Sequence, residues 1–171
     1  MANVVLIGMP GCGKSTVGVL LAKALGMNFI DTDVILQARE GRLLQRMIDE
    51  DGIDAFLRRE EEAVLSLTCD NTVIATGGSV VYGKRAIAHL RENGTLVYIE
   101  LPYGRIEGRL GNLATRGVTL RPGQTLQGLY DERTPLYERA ADIVLHTDGL
   151  SIEQTLAALR NRLKGMETNA D

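Results

Sequence analysis

Residues 8 to 15 read GMPGCGKS, directly after the apolar run NVVLI at 3–7. Two glycines frame four residues, and lysine and serine follow, so the stretch fits G-x-x-x-x-G-K-[ST]. That spacing has mechanical content only when a strand precedes it and a helix follows. The β-branched run leads in; behind it Val17, Leu20, Leu21, Ala24 and Leu25 recur on one helical stripe, with Gly26 placed to end the helix. In that setting the glycines let successive backbone N–H groups point inward at phosphate oxygens, while the helix brings its positive end to the same anion. Lys14 then reaches the β- and γ-phosphates, Ser15 ligates Mg²⁺, and Gly11, Cys12, Gly13 and Thr16 complete a nucleotide-binding loop. A glycine-rich turn that fits by chance is the competing reading, and the flanking pattern argues against it.

Working outward, apolar runs recur at 3–8, 28–31, 72–76, 95–101 and 142–147. Runs apolar at nearly every position suit strands covered on both faces, as in a parallel sheet. Helices are expected at about 34–39, 43–50, 53–69, 83–93, 103–110, 125–140 and 151–164. The alternation predicts an α/β domain over 1–171 with helices on both faces of an open sheet. Two regions interrupt it. Residues 34–70 carry helical patterns with no strand between them, as an excursion that can close over a ligand. Residues 111–124, GNLATRGVTLRPGQ, form a polar stretch of the length typical of a functional lid.

Composition excludes several classes. The 171 residues carry nineteen Lys and Arg against twenty-two Asp and Glu, a net charge of −3 without long blocks of one sign. Nucleic acid is therefore not an expected partner, although a cluster of arginines can hold a small anion. Cys12 and Cys69 have neither metal-ligand nor disulfide-framework spacing, and His89 and His146 are isolated. With no leader and no membrane-spanning run, a cytoplasmic protein is expected, with a small-molecule substrate and a monomeric state.

The second strand ends in FIDTD, which puts Asp31 and Asp33 at the carboxyl edge where open α/β sheets bind ligands. One carboxylate there can serve the metal and the other take a proton from an attacking hydroxyl. A helix cap by Asp33 ahead of VILQA is the competing reading for that residue. TGGS at 76–79 lets backbone approach a ligand at the same edge, and Arg116, Arg121 and Arg133 are candidate anion clamps.

Taken together, GMPGCGKSTVG, FIDTD, IATGG, the arginine-bearing lid and RTPLYERAAD resemble the shikimate kinase family, within the nucleoside-monophosphate-kinase-like branch of P-loop proteins. The resemblance implies a three-layer α/β/α fold with five parallel strands in the order 2-3-1-4-5, a helical substrate-binding excursion and a lid. It implies transfer of the γ-phosphoryl of ATP to a hydroxyl of shikimate, with Mg²⁺, in aromatic amino-acid biosynthesis. Lys14, Asp33 and Arg116 would be catalytic, and Ser15 and Asp31 would serve the metal. Arg109 and Arg116 would meet the nucleotide, while Asp33, Gly77, Gly78, Ser79 and Arg133 would form the acceptor pocket. Arg116 fits the family's lid spacing better than Arg121.

The acceptor half departs from the pattern. The family's F-R-x-x-E appears here as FLRRE, with Leu57 where the arginine of the carboxylate clamp is expected, and Ser79 replaces a third glycine. Ile53, Phe56, Leu57 and Val64 share one helical face, which turns Leu57 inward and leaves Arg58 and Arg59 on a solvated face paired with Glu60 to Glu62. A one-residue shift that brings Arg58 into the substrate site is the alternative. Two other readings remain open here: a kinase of the same fold for another hydroxy acid or polyol, and a nucleotide-binding module without catalysis. A GTPase is disfavoured because no N-K-x-D segment is present.

Overall fold

A computed structural model describes residues 2–111 and 117–167. The most apolar run forms the centre of the molecule: β1 (Asn3–Ile7) is buried along its whole length. It pairs in parallel on one side with β3 (Thr72–Ala75), through Val4 opposite Val73, and on the other with β4 (Gly94–Glu100), through Val5 opposite Leu96. The less buried β2 (Asn28–Asp31) and β5 (Ile143–His146) take the two edges. The sheet order is β2-β3-β1-β4-β5, every neighbouring pair parallel, as the resemblance implied. Strand order therefore reverses at β1, and the crevice beyond the end of that strand is where such sheets bind ligands. The GMPGCGKS stretch occupies that position.

Helix α1 (Lys14–Leu25) starts from Gly13, whose φ of 106° lies in the region that side chains disfavour, and Gly26 closes it by donating its N–H to Ala22 O. Between β2 and β3 run α2 (Thr32–Glu40), α3 (Leu44–Asp51) and α4 (Ile53–Leu65). These have a small core of their own, Leu36, Met47, Phe56 and Ala63, against which Leu44, Ile48 and Leu57 pack. Helix α4 stops at Leu65, short of the expected 69, because the Ser66 hydroxyl turns back to Ala63 O and Leu67 N–H bonds to Val64 O. After β3 a 3₁₀ turn (Val80–Tyr82) leads into α5 (Lys84–Glu92). Helices α6 (Tyr103–Leu110), α7 (Leu126–Ala140) and α8 (Ile152–Glu167) complete the described chain. Among the described residues no helix is long and apolar enough to cross a membrane.

Candidate active site

At the carboxyl ends of the central strands a cavity of about 540 Å³ opens between the loop after β1, the start of α2, α4, residues 76–79 and Arg133 of α7. Gly11, Gly13, Lys14, Ser15 and Thr16 line one end of it. Lys14 does not extend into the space. Its Nζ donates to Gly8 O and Met9 O, both at 2.8 Å, and approaches Cys12 Sγ at 3.7 Å. Cys12 itself is buried in the core, and its N–H donates to Met9 O, so the loop is braced from within. Arg109 of α6 reaches over the same loop, donating to Gly11 O at 3.2 Å.

Ser15 and Asp31 come from different elements and meet: the Ser15 hydroxyl donates to Asp31 Oδ2 at 2.6 Å. The other oxygen, Oδ1, accepts the N–H groups of Asp33 and Val34, so Asp31 is the N-cap of α2. The cap considered for Asp33 is thus made two residues earlier, and Asp33 stands in the first turn with its carboxyl on the cavity. One hydroxyl and one carboxylate beside a phosphate loop suit Mg²⁺, a hard cation usually held by one or two carboxylates, phosphate oxygens and water. Withdrawal from water raises the Asp33 carboxyl to about 6; the charge of Asp31 adds to this and that of Lys14 opposes it. Asp33 remains ionised at neutral pH, close to the range suited to a general base.

The acceptor end is built on residues 76–79. Gly77 N–H donates to Thr32 Oγ1 at 3.1 Å, and the Tyr137 hydroxyl donates to Gly78 O at 2.5 Å. A Cβ on Gly78 would stand 2.6 Å from Pro10 Cδ and 3.0 Å from Arg133 Nη1, so glycine here lets the loop, the backbone and the arginine converge. Arg133 is only 1% exposed. It donates to Thr119 Oγ1 and to the Tyr82 hydroxyl, and its guanidinium carbon lies 5.3 Å from the centre of the Tyr82 ring. Among the described residues no carboxylate forms an ion pair with it. A buried cation without a counter-ion is costly, and an anionic ligand removes that cost.

Other candidates fall outside this constellation. Arg58 is exposed and lines a smaller pocket of about 140 Å³ behind the main one, together with Leu57 and Tyr82. Arg59 turns away to Glu40 and Asp51. Arg121 forms a surface pair with Asp54 at 3.3 Å. Arg116 lies outside the described residues; just beyond it, Gly117 packs on Leu44 and Thr119 is buried against Arg133.

The expectation that Glu60 belongs to a solvated face is corrected by the structure. Glu60 is 4% exposed and forms part of the wall between the two pockets, where its Oε2 accepts from the Ser79 hydroxyl at 2.6 Å. Burial raises its carboxyl to about 7; the Ser79 hydrogen bond lowers it, Asp33 raises it, and Arg133 and Lys14 lower it. The signal was present in the sequence, since position 60 falls four residues after Phe56 on the stripe that includes Ile53, Ala63 and Val64.

Residues 10–164 match the family profile described as shikimate kinase. A shikimate kinase of Histophilus somni is 36% identical over 165 residues, covering 94% of this chain and 92% of that protein. Among solved structures, a shikimate kinase from Acinetobacter baumannii in complex with shikimate superposes with a TM-score of 0.86 at 27% identity, covering 99% of this chain and 94% of the other. A shikimate kinase from Aquifex aeolicus gives 0.83 at 30% identity, with coverage of 96% and 98%.

Proposed function

The chain belongs to the shikimate kinase family and is an ATP-dependent kinase, and from this premise we propose how its residues divide the transfer of the γ-phosphoryl of ATP to a hydroxyl of shikimate. The products are shikimate 3-phosphate and ADP. The observation that carries the assignment is the buried Arg133 guanidinium, which has no ion pair among the described residues, in the same cavity as the phosphate loop and Asp33. That arrangement suits an acceptor with one carboxylate and a hydroxyl turned toward a nucleotide.

In this reading the loop from Gly11 to Thr16 binds the phosphates through backbone N–H groups, and Lys14 moves from its carbonyl partners to the phosphoryl oxygens. Ser15 and Asp31 would hold Mg²⁺, which when bound would neutralise charge on the phosphates. Arg133 pairs with the acceptor carboxylate, and Gly77, Gly78 and Ser79 form the floor beneath the ring. Asp33 accepts the proton as the acceptor oxygen attacks phosphorus. The new O–P bond forms while the bond to the bridging oxygen breaks, and ADP leaves with that electron pair. Arg109 lies beside the nucleotide base, and Arg116 brings the lid to the phosphates and helps exclude water. Residues 34–70 serve as the acceptor-binding excursion and 111–124 as the lid. The same reading takes the protein as a monomeric cytoplasmic enzyme acting on a small-molecule acceptor.

The test is ADP formation by the purified protein with Mg²⁺ and ATP, with and without shikimate up to millimolar concentration. Saturable stimulation by shikimate, abolished by chelation of Mg²⁺, is the expected result. Background hydrolysis alone, unchanged by shikimate, would remove shikimate as the acceptor.

A further inference from the structure

A guanidinium recognises a carboxylate well only when its plane and the edge it offers are fixed, and Arg133 carries its charge at the end of a long, rotatable side chain. Within the described residues two hydrogen bonds and one ring contact fix it. Nε donates to the Tyr82 hydroxyl at 3.4 Å, Nη2 donates to Thr119 Oγ1, and the guanidinium carbon lies 5.3 Å from the centre of the Tyr82 ring. The remaining nitrogen, Nη1, stands 3.0 Å from the position of a Cβ on Gly78, at the floor of the acceptor pocket. Tyr82 therefore supplies both a face and one edge of the seat, and the phosphoryl transfer described above gives it no part.

Tyr82 closes the 3₁₀ turn that directly follows the floor. Its N–H donates to Ser79 O at 3.0 Å, and Val80 N–H donates to Gly77 O at 3.3 Å, so the floor and the seat of Arg133 are one short segment. The hydroxyl is oriented as well. A phenol has one proton to give, and Glu132 Oε1 takes it at 2.6 Å, which leaves a lone pair for Arg133 Nε–H. Burial and the bond to Glu132 push the phenol up, with Arg133 opposing, so the proton is kept at neutral pH. Glu132 is held in turn, its Oε2 accepting from Gln124 Nε2 at 2.8 Å, while Gln124 N–H donates to Arg121 O at 2.9 Å. Tyr82 lines the smaller pocket and not the main cavity, so its contact is with the guanidinium rather than with the acceptor.

We propose that Tyr82 is a positioning residue for the acceptor clamp: its ring and phenolic oxygen hold the Arg133 guanidinium with Nη1 turned toward the acceptor carboxylate. This role deepens the shikimate kinase reading and rests on it. Without the ring the guanidinium samples other orientations, and the acceptor must select the competent one at a cost in affinity. The nucleotide end is untouched, and an acceptor without a carboxylate has nothing to lose.

The experiment measures KM for shikimate and for ATP, and kcat, in wild type, Tyr82→Phe, Tyr82→Leu, Arg133→Met and the double variant Tyr82→Leu with Arg133→Met, with thermal unfolding confirming that each is folded. Tyr82→Leu removes ring and hydroxyl and is expected to raise the shikimate KM about tenfold, with the ATP KM and kcat within about twofold of wild type. Tyr82→Phe keeps the ring and the packing, and is expected to raise the shikimate KM only about threefold; it keeps the test open if Tyr82→Leu does not fold. On the Arg133→Met background, Tyr82→Leu is expected to add nothing, because the two residues act as one unit. The amide of shikimate, which lacks the carboxylate, is expected to show no difference between wild type and either Tyr82 variant. If the Tyr82 variants leave the shikimate KM unchanged, if their effect adds fully to that of Arg133→Met, or if the amide suffers equally, the role is wrong while the kinase assignment stands. A wild type that ignores shikimate overturns the acceptor and this role together.

Discussion

Replacing Arg133 with methionine separates the binding role of the guanidinium from any structural one. The side chain is 1% exposed, with a threonine hydroxyl, a tyrosine hydroxyl and the Tyr82 ring as partners, and no ion pair among the described residues. Exchange for an apolar chain of similar reach relieves the desolvation of a buried charge, a gain of about 1–4 kcal/mol when ion pairs are replaced by well-packed apolar groups. Against this stand about 0.5–1 kcal/mol for the cation–π contact and about 1–3 kcal/mol for the stranded Thr119 hydroxyl. These nearly cancel. At roughly 2–4 °C per kcal/mol for a chain of this size, Tm is expected to move by less than about 8 °C in either direction. The substrate carboxylate, by contrast, loses its buried partner, about 2–5 kcal/mol, which is a rise in shikimate KM of about 30-fold or more. Steady-state ADP release gives both KM values, and differential scanning fluorimetry gives Tm. A shikimate KM within about threefold of wild type, or a fall in Tm well beyond 10 °C, would show that the guanidinium is a structural strut instead.

Gly78→Ala places a methyl 2.6 Å from Pro10 Cδ and 3.0 Å from Arg133 Nη1; destabilisation of about 1–3 kcal/mol and higher KM values for both substrates are expected from thermal unfolding and kinetics. Gly104→Ala, in α6 with nothing within 4 Å of the new methyl, is the control and is expected to stabilise by about 0.5–1 kcal/mol without kinetic change. Asp31→Ala removes both the partner of Ser15 and the N-cap of α2; a Mg²⁺ titration of activity is expected to shift to about tenfold higher concentration, and an unshifted curve would deny Asp31 the metal. The Glu60 carboxyl also makes stability depend on pH. Its folded value of about 7 lies above the ordinary 4.5, so the folded chain binds the extra proton and stability is lost as pH rises through that window. Glu60→Gln is expected to raise Tm relative to wild type at pH 8 and to do so much less at pH 5; an equal change at both would mean that the carboxyl does not titrate in the fold.

The scaffold was legible because its signals are short-range and redundant. Five apolar runs, each bounded by helix-forming stretches, place β1, β3 and β4 in the buried centre, and the glycines at 8, 11 and 13 punctuate a strand-to-helix turn. The resemblance gave Ser15 and Asp31 a shared metal, and the fold brings the two into a hydrogen bond that the sequence reading had not specified. Glu60 was misjudged because its neighbours in sequence are charged, and charge runs normally face water; its burial depends on Phe56 and Ala63 packing against Leu36 and Met47 from other helices. The partners of Arg133 were equally out of reach, since Tyr82, Thr119 and Arg133 are far apart in the chain and the fold alone brings them together. Arg121 was a candidate anion clamp, yet its partner is Asp54 on the surface.

Lys14 carries its own rival for the nucleotide. With Nζ satisfied by two carbonyls of its own loop, an arriving phosphate must displace bonds already made, and net affinity is the difference between two sets of hydrogen bonds, the resting one buried. The carbonyls stay at hand throughout the reaction. Once the γ-phosphoryl has left with the acceptor, fewer phosphate oxygens compete for the ammonium, and the same two carbonyls draw it back. On the proposed role of Lys14, the resting contact would act as a return spring that loosens ADP and resets the loop for the next turnover.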